Sequence, residues 1–117
     1  MDPSLDEVIE GLTVERYAEL MARLDVAATA AEPRGQPAEA EARRAALREA
    51  GVPTEAWSRA HEGYQGRMRD EVGRGATSSA PPAERFPLIT RYGAVYAAEK
   101  KRLLEERRRA TEAKGGS

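Results

Sequence analysis

Chemistry in this chain has one natural starting point, its single histidine, His61. A histidine works as a general acid or base only beside a nucleophile or an orienting carboxylate. Glu62 and Asp70 are the nearby acids that composition offers. His61 follows Trp57 by four residues and precedes Tyr64 by three, which puts all three on one helical face. That placement makes it a core or interface histidine rather than half of a catalytic pair. One histidine and no cysteine leave a transition-metal site without ligands. A carboxylate di-iron centre would need Glu-x-x-His motifs on paired helices, and none occurs. The expectation is therefore no catalytic set, no metal and no cofactor.

The remaining candidates have simpler readings. Trp57, Tyr64, Tyr92 and Tyr96 could form an aromatic box for a ligand, but aromatics at helical spacing read as core. Gly63 and Gly66 fall inside a helical stretch with no strand before them, so they are no phosphate loop. They could instead admit a close neighbour. Ser78 and Ser79 stand in a flexible stretch without a base. Residues 99–114 hold seven bases and four acids, among them Lys100, Lys101, Arg102, Arg107, Arg108 and Arg109. Such a run could grip phosphates, but Glu99, Glu105, Glu106 and Glu112 interleave and pairs such as Glu105–Arg109 neutralise it. Residues 1–20 carry six acids against one base. The two blocks suggest head-to-tail contact between copies, or docking of residues 1–10 on the last helix. Arg102, Arg107, Arg108 and Arg109 are the candidate electrostatic contacts.

The elements that must position these residues are helices, since no segment alternates as a strand does. Residues 1–12 read as a short helix at Leu5–Ile9 or an extended lead-in. Thr13 caps a first helix over Val14–Ala30, whose stripe is Tyr17, Leu20, Met21, Leu24 and Ala28. Glu32–Pro37 is a linker, because two prolines and a glycine break a helix. The second helix, Ala38–Ala50, has one large apolar residue, Leu47, and ends on Gly51. Thr54, with Pro53 and Glu55, is a start signal for a third helix over Glu55–Arg74. Its face is Trp57, Ala60, His61, Tyr64, Met68 and Val72. Residues 75–82 form a flexible loop, and a turn at Ala83–Phe86 precedes a last helix over Leu88–Ala113. Leu88, Tyr92, Val95, Tyr96, Glu99 and Leu103 mark one side of it. After Leu104 no apolar face remains.

Composition bounds the whole. The 117 residues suit one domain: a lead-in at 1–12, a helical body at 13–104 and a charged extension with a tail at 105–117. The charge balance of −1 argues against a dedicated nucleic-acid binder. The acidic start is no signal peptide, and no run approaches the roughly 18 apolar residues of a membrane span, so a cytoplasmic protein is expected. Arginine outnumbers lysine 16 to 3, the codon bias of a GC-rich, bacterial genome. Leu, Ile, Val and Phe total only 17 residues, and alanine supplies much of the rest. Alanine favours helix yet buries little area. A core that thin favours completion by a partner or a second copy.

The segments Gly11–Leu20, Leu47–Trp57, Arg67–Asp70 and Arg91–Tyr96 occur in an order that resembles an uncharacterised family of small helical domains from GC-rich bacteria, myxobacteria among them. In that pattern a glycine precedes a capped helix with Tyr-Ala. A Leu…Gly turn and a helix opened by tryptophan follow, then Met…Asp and Tyr…Tyr. The resemblance spans about residues 5–98. It implies helix boundaries and transfers no catalytic residues. The expectation is an all-α, compact three- or four-helix domain with an extended C-terminal helix. Tyr17, Leu20, Leu24, Leu47, Trp57, His61, Tyr64, Met68, Tyr92 and Tyr96 are its predicted core or interface. Helices one and three and the first half of the last would surround Trp57. The expected role is a non-enzymatic adaptor that binds another protein or itself. A nucleic-acid regulator and a small enzyme or carrier centred on His61 are the alternatives.

Overall fold

The computed structural model describes residues 8–115 and is all-α. Five helices follow in order: α1 (Val14–Ala31), α2 (Gln36–Ala50), α3 (Thr54–Gly75), the single turn α4 (Pro82–Arg85) and α5 (Pro87–Gly115). A short turn leads in, closed by reciprocal backbone bonds between Ile9 and Leu12 of 3.1 and 2.9 Å. Glu10 and Gly11 both take positive φ to make it. Residues 5–7 of the short helix considered for the lead-in lie outside the described residues. Ile9, its last residue, belongs to this turn.

The helix ends follow local chemistry. The Thr13 hydroxyl accepts the Arg16 N–H at 3.1 Å and caps α1. Gly51 closes α2 at φ 73°, in the left-handed region that glycine tolerates. Two expected boundaries change. Glu32–Pro37 is no open linker: Glu32–Arg34 form a 3₁₀ turn and α2 starts at Gln36. Pro33 and Pro37 fall in first turns, where a missing N–H leaves no bond unmade. Thr54 is not a cap but the first residue of α3. Pro53, extended at φ −62° and ψ 142°, holds the cap position, and its carbonyl accepts the Trp57 N–H at 3.0 Å.

Helix α1 is the centre of the fold. It packs most extensively against α5 and α2, and Val14, Tyr17, Ala18, Leu20, Ala22 and Ala31 are almost fully enclosed. Full burial of a leucine-sized side chain contributes about 1.5–3 kcal/mol. The small alanines let α2 approach closely, with Leu47 as its buried anchor. Leu47 is thus in the core, where it was expected, and its helix joins those expected to surround Trp57. The core cluster also takes in Leu12, Leu24, Trp57, Ala60, Tyr64, Met68 and Leu88. Val72, expected on the buried face of α3, is half exposed, and Glu71 is buried instead.

Helices α1 and α5 run parallel. Glu15 pairs with Arg91 at 3.4 Å and Arg23 with Glu99 at 3.3 Å, the same sequence offset in both cases. That register brings Ala31, the end of α1, opposite Arg107. Helix α5 has 29 residues, about 43 Å of rise, so its last two turns run past α1. The molecule is correspondingly long, 55 × 31 × 23 Å.

Candidate functional site

One end of the bundle carries an aromatic cluster centred on Tyr17. Its ring lies 4.9 Å from Tyr64, 5.3 Å from Trp57 and 5.6 Å from Tyr92, between centroids. Tyr17 and Tyr64 are fully enclosed, whereas Trp57 keeps a little exposure. The expected centre, Trp57, is therefore one wall of a cluster whose hub is Tyr17. The reason is position: α3 crosses the start of α1, and the residue facing that crossing from α1 is Tyr17.

Three of the four tyrosine hydroxyls of the cluster have hydrogen-bond partners. The Tyr17 hydroxyl lies 2.8 Å from His61 Nδ1 and accepts the Gln65 Nε2–H at 3.0 Å. With Gln65 donating, the phenol O–H is free to donate to Nδ1. Tyr64 donates to the Leu12 carbonyl at 2.6 Å, which ties the lead-in to α3. Tyr92 stacks on Tyr96 at 5.7 Å, and the Tyr96 hydroxyl donates to Asp25 of α1. Burial raises the Tyr17 and Tyr92 hydroxyls above the usual tyrosine value. The bond to Asp25 pushes Tyr96 up to about 12. All three phenols thus stay protonated, and those of Tyr17 and Tyr96 are held in hydrogen bonds to His61 and Asp25, a structural use of tyrosine. His61 meets no hydroxyl nucleophile here; its partner is a phenol held in the core.

Glu71 was missed by the sequence reading. Its buried carboxylate accepts the Leu88 and Ile89 N–H groups, each at 2.9 Å. These are the first orphan donors of α5, since Pro87 has no N–H. One side chain of α3 therefore caps a helix 17 residues away in sequence. A signal for it existed: 64, 68, 71 and 75 continue the buried stripe, and an acid on such a stripe demands a partner. The glycines serve close packing of side chains rather than of a further helix. A Cβ on Gly63 would lie 2.7 Å from Ile9 Cδ1, and one on Gly75 would lie 2.6 Å from the Phe86 ring. Gly66 has open space.

The other end presents charge around a hollow. A groove of about 500 Å³ lies between α1, α2 and the distal part of α5. Val26, Ala27, Ala46, Leu103 and Ala110 supply its apolar lining, and Arg23, Glu49, Arg102, Glu106 and Arg107 its charges. Glu99, nearly buried beside it, accepts Arg102 at 2.6 Å and Arg23 at 3.3 Å. Arg102, helped by Arg23, holds the Glu99 carboxyl below its ordinary value. Arg102 also meets Glu106, and Arg108 meets Glu112 at 3.8 Å. Of the four predicted electrostatic contacts, Arg102 and Arg107 meet at the groove, Arg108 points to another face of α5, and Arg109 is simply exposed. Glu10 and Ile9 of the acidic lead-in lie on α3, not on the last helix; Glu10 pairs with Arg59 at 2.8 Å.

Among the described residues no group of three His, Asp or Glu side chains is placed to hold a metal ion, and no helix is long and apolar enough to cross a membrane. Comparison with protein-family models, with curated proteins and with solved structures finds no match.

Proposed function

We propose that this protein is a non-enzymatic interaction module, an adaptor or accessory subunit of a larger bacterial assembly. The observation that carries the reading is the groove between α1, α2 and the distal part of α5. Helices α2 and α5 both pack on α1, and between them α1 forms a floor. The α5 wall runs from Arg102 to Ala110, about 13 Å of rise. A partner helix of two to three turns matches that length, and its small side chains would meet Val26 and Ala27 of the floor and the alanines of the walls. The charged residues of the groove include both signs, which suits a helix with paired acids and bases on its flanks. At the opposite end the Tyr17 hydroxyl and His61 are spent on each other, and the Tyr64 and Tyr96 hydroxyls on Leu12 and Asp25, whereas the groove offers apolar lining open to a partner.

Photo-crosslinking tests this. A photoreactive amino acid replaces Glu49 or Ala110, both exposed groove-lining positions, and the control is Ser58 on α3. Irradiation of the host cells is expected to give one discrete adduct from both groove positions and none from Ser58. If the groove positions yield no adduct beyond the control, the reading fails.

A further inference from the structure

Two of the large apolar side chains left about half exposed are Val8 and Leu104, and each lies among charges of one prevailing sign. Leu104 belongs to a face of α5 separate from the groove, with Tyr96, Lys100, Lys101 and Arg108. Positions 96, 100, 104 and 108 are four apart and form one ridge. The Lys100 ammonium lies over the Tyr96 ring at 5.6 Å, and Glu105 is the one acid lining this face. Val8 ends a stretch in which Asp2, Asp6 and Glu7 flank Leu5. One surface is apolar and basic; the other segment is apolar and acidic.

The distance along the bundle disfavours a meeting of the two within one molecule. The lead-in turn sits at the start of α1, against Gly63 of α3. In the parallel register of α1 and α5, Leu104 comes opposite Ala28, about 24 Å along the axis from Leu12. Leu5 is three residues from Val8, and three extended residues reach at most about 11 Å. A symmetric pairing of two α5 faces is also disfavoured, because it would set Lys100, Lys101 and Arg108 of both copies against one another. What remains is head-to-tail contact, in which unlike patches of two copies meet.

We propose that residues 2–8 of one copy dock on the Tyr96–Leu104–Arg108 face of α5 in a second copy. Leu5 and Val8 cover Leu104, and Asp6 and Glu7 face Lys100 and Lys101. Because the contact joins unlike patches, it propagates into chains or closes into a ring. It uses a different face from the groove, so its test is independent of the crosslinking result.

Sedimentation velocity on the full chain decides it, at up to about 1 mM protein and at about 20 mM and about 500 mM salt, where screening differs severalfold. The expected result is a weight-average sedimentation coefficient that rises with concentration at low salt and returns to the monomer value at high salt. The variants K100E/K101E and D6K/E7K should each remain monomeric at low salt. Far-UV circular dichroism should show both as helical as the parent. An equimolar mixture of the two should associate again, because each then carries the complement of the other. A parent that stays monomeric at low salt overturns the proposal. So does association that survives in either variant alone, or a mixture that fails to associate.

Discussion

The two ends of this bundle are built on opposite principles. At the aromatic end, Tyr17 touches Trp57, Tyr64 and Tyr92, and its hydroxyl is occupied by His61 and Gln65. At the distal end, α5 runs past α1 with charged side chains that pair along their own helix. The first end derives its stability from contacts between residues far apart in sequence. The second holds its shape through local i,i+4 pairs, each worth only about 0.2–0.5 kcal/mol. The comparison teaches where stability and binding capacity separate. Groups that satisfy one another inside the fold have nothing left for a partner, and an overhanging helix leaves its faces open.

The comparison breaks most readily at Tyr17. Tyr17→Ala removes the hub of the cluster and should cost about 3–5 kcal/mol by denaturant unfolding; a loss under about 1 kcal/mol would mean that the aromatic end does not hold the fold. Glu71→Ala comes next. It leaves the Leu88 and Ile89 amides without their acceptor, at a cost of about 1–3 kcal/mol, and amide exchange at those two positions should quicken before the rest of α5. Glycine substitutions sharpen the same contrast. Gly75→Ala meets the Phe86 ring and, at 3.0 Å, the Arg85 carbonyl, so it should lower stability by about 1–3 kcal/mol. Gly66→Ala meets nothing within 4 Å and should raise stability by about 0.4–1 kcal/mol. Thermal melts of the pair should shift in opposite directions.

Acid should weaken the Glu99 junction between the ends. Its carboxyl titrates below the ordinary 4.5 because of Arg102 and Arg23. A depressed folded-state value means that the stabilisation is complete above the unfolded-state value and is lost as pH falls through the lower, folded one. Glu99→Gln should therefore flatten the stability profile below about pH 5 and leave its shape unchanged near neutrality. An unchanged acid limb would show that the Arg23–Glu99–Arg102 set contributes nothing. The smallest effect belongs to the overhang. Arg109→Ala should change stability by less than about 0.5 kcal/mol, and a larger loss would give the distal end a structural role it lacks here.

Much of this was legible beforehand. The Thr13 cap, the Gly51 stop, the stripe of α1 and the unsupported end of α5 are local features, set by residues within a turn or two of one another. The aromatic residues were legible as core for the same reason, since their spacing marks a face. The face does not say what it meets. Trp57 looked like the centre until the crossing of α3 over α1 put Tyr17 there. Val72 looked buried because it is apolar, yet the stripe turned to Glu71, whose partners lie in α5. Asp25 and Gln65 carried no local signal at all, because their roles depend on the hydroxyls of Tyr96 and Tyr17 brought from other helices.

The chain by itself determined that there would be helices, roughly where each begins and ends, and which side of each is apolar. Helical periodicity and capping act within a few residues, so sequence suffices for them. Only the tertiary structure decided that α1 lies between α2 and α5 and that a buried carboxylate of α3 caps α5. It also decided that α5 outruns α1 to leave a groove and a basic face. Those outcomes depend on how faces pair and in what register, and pairing is a property of two segments at once, which no single stretch of sequence encodes.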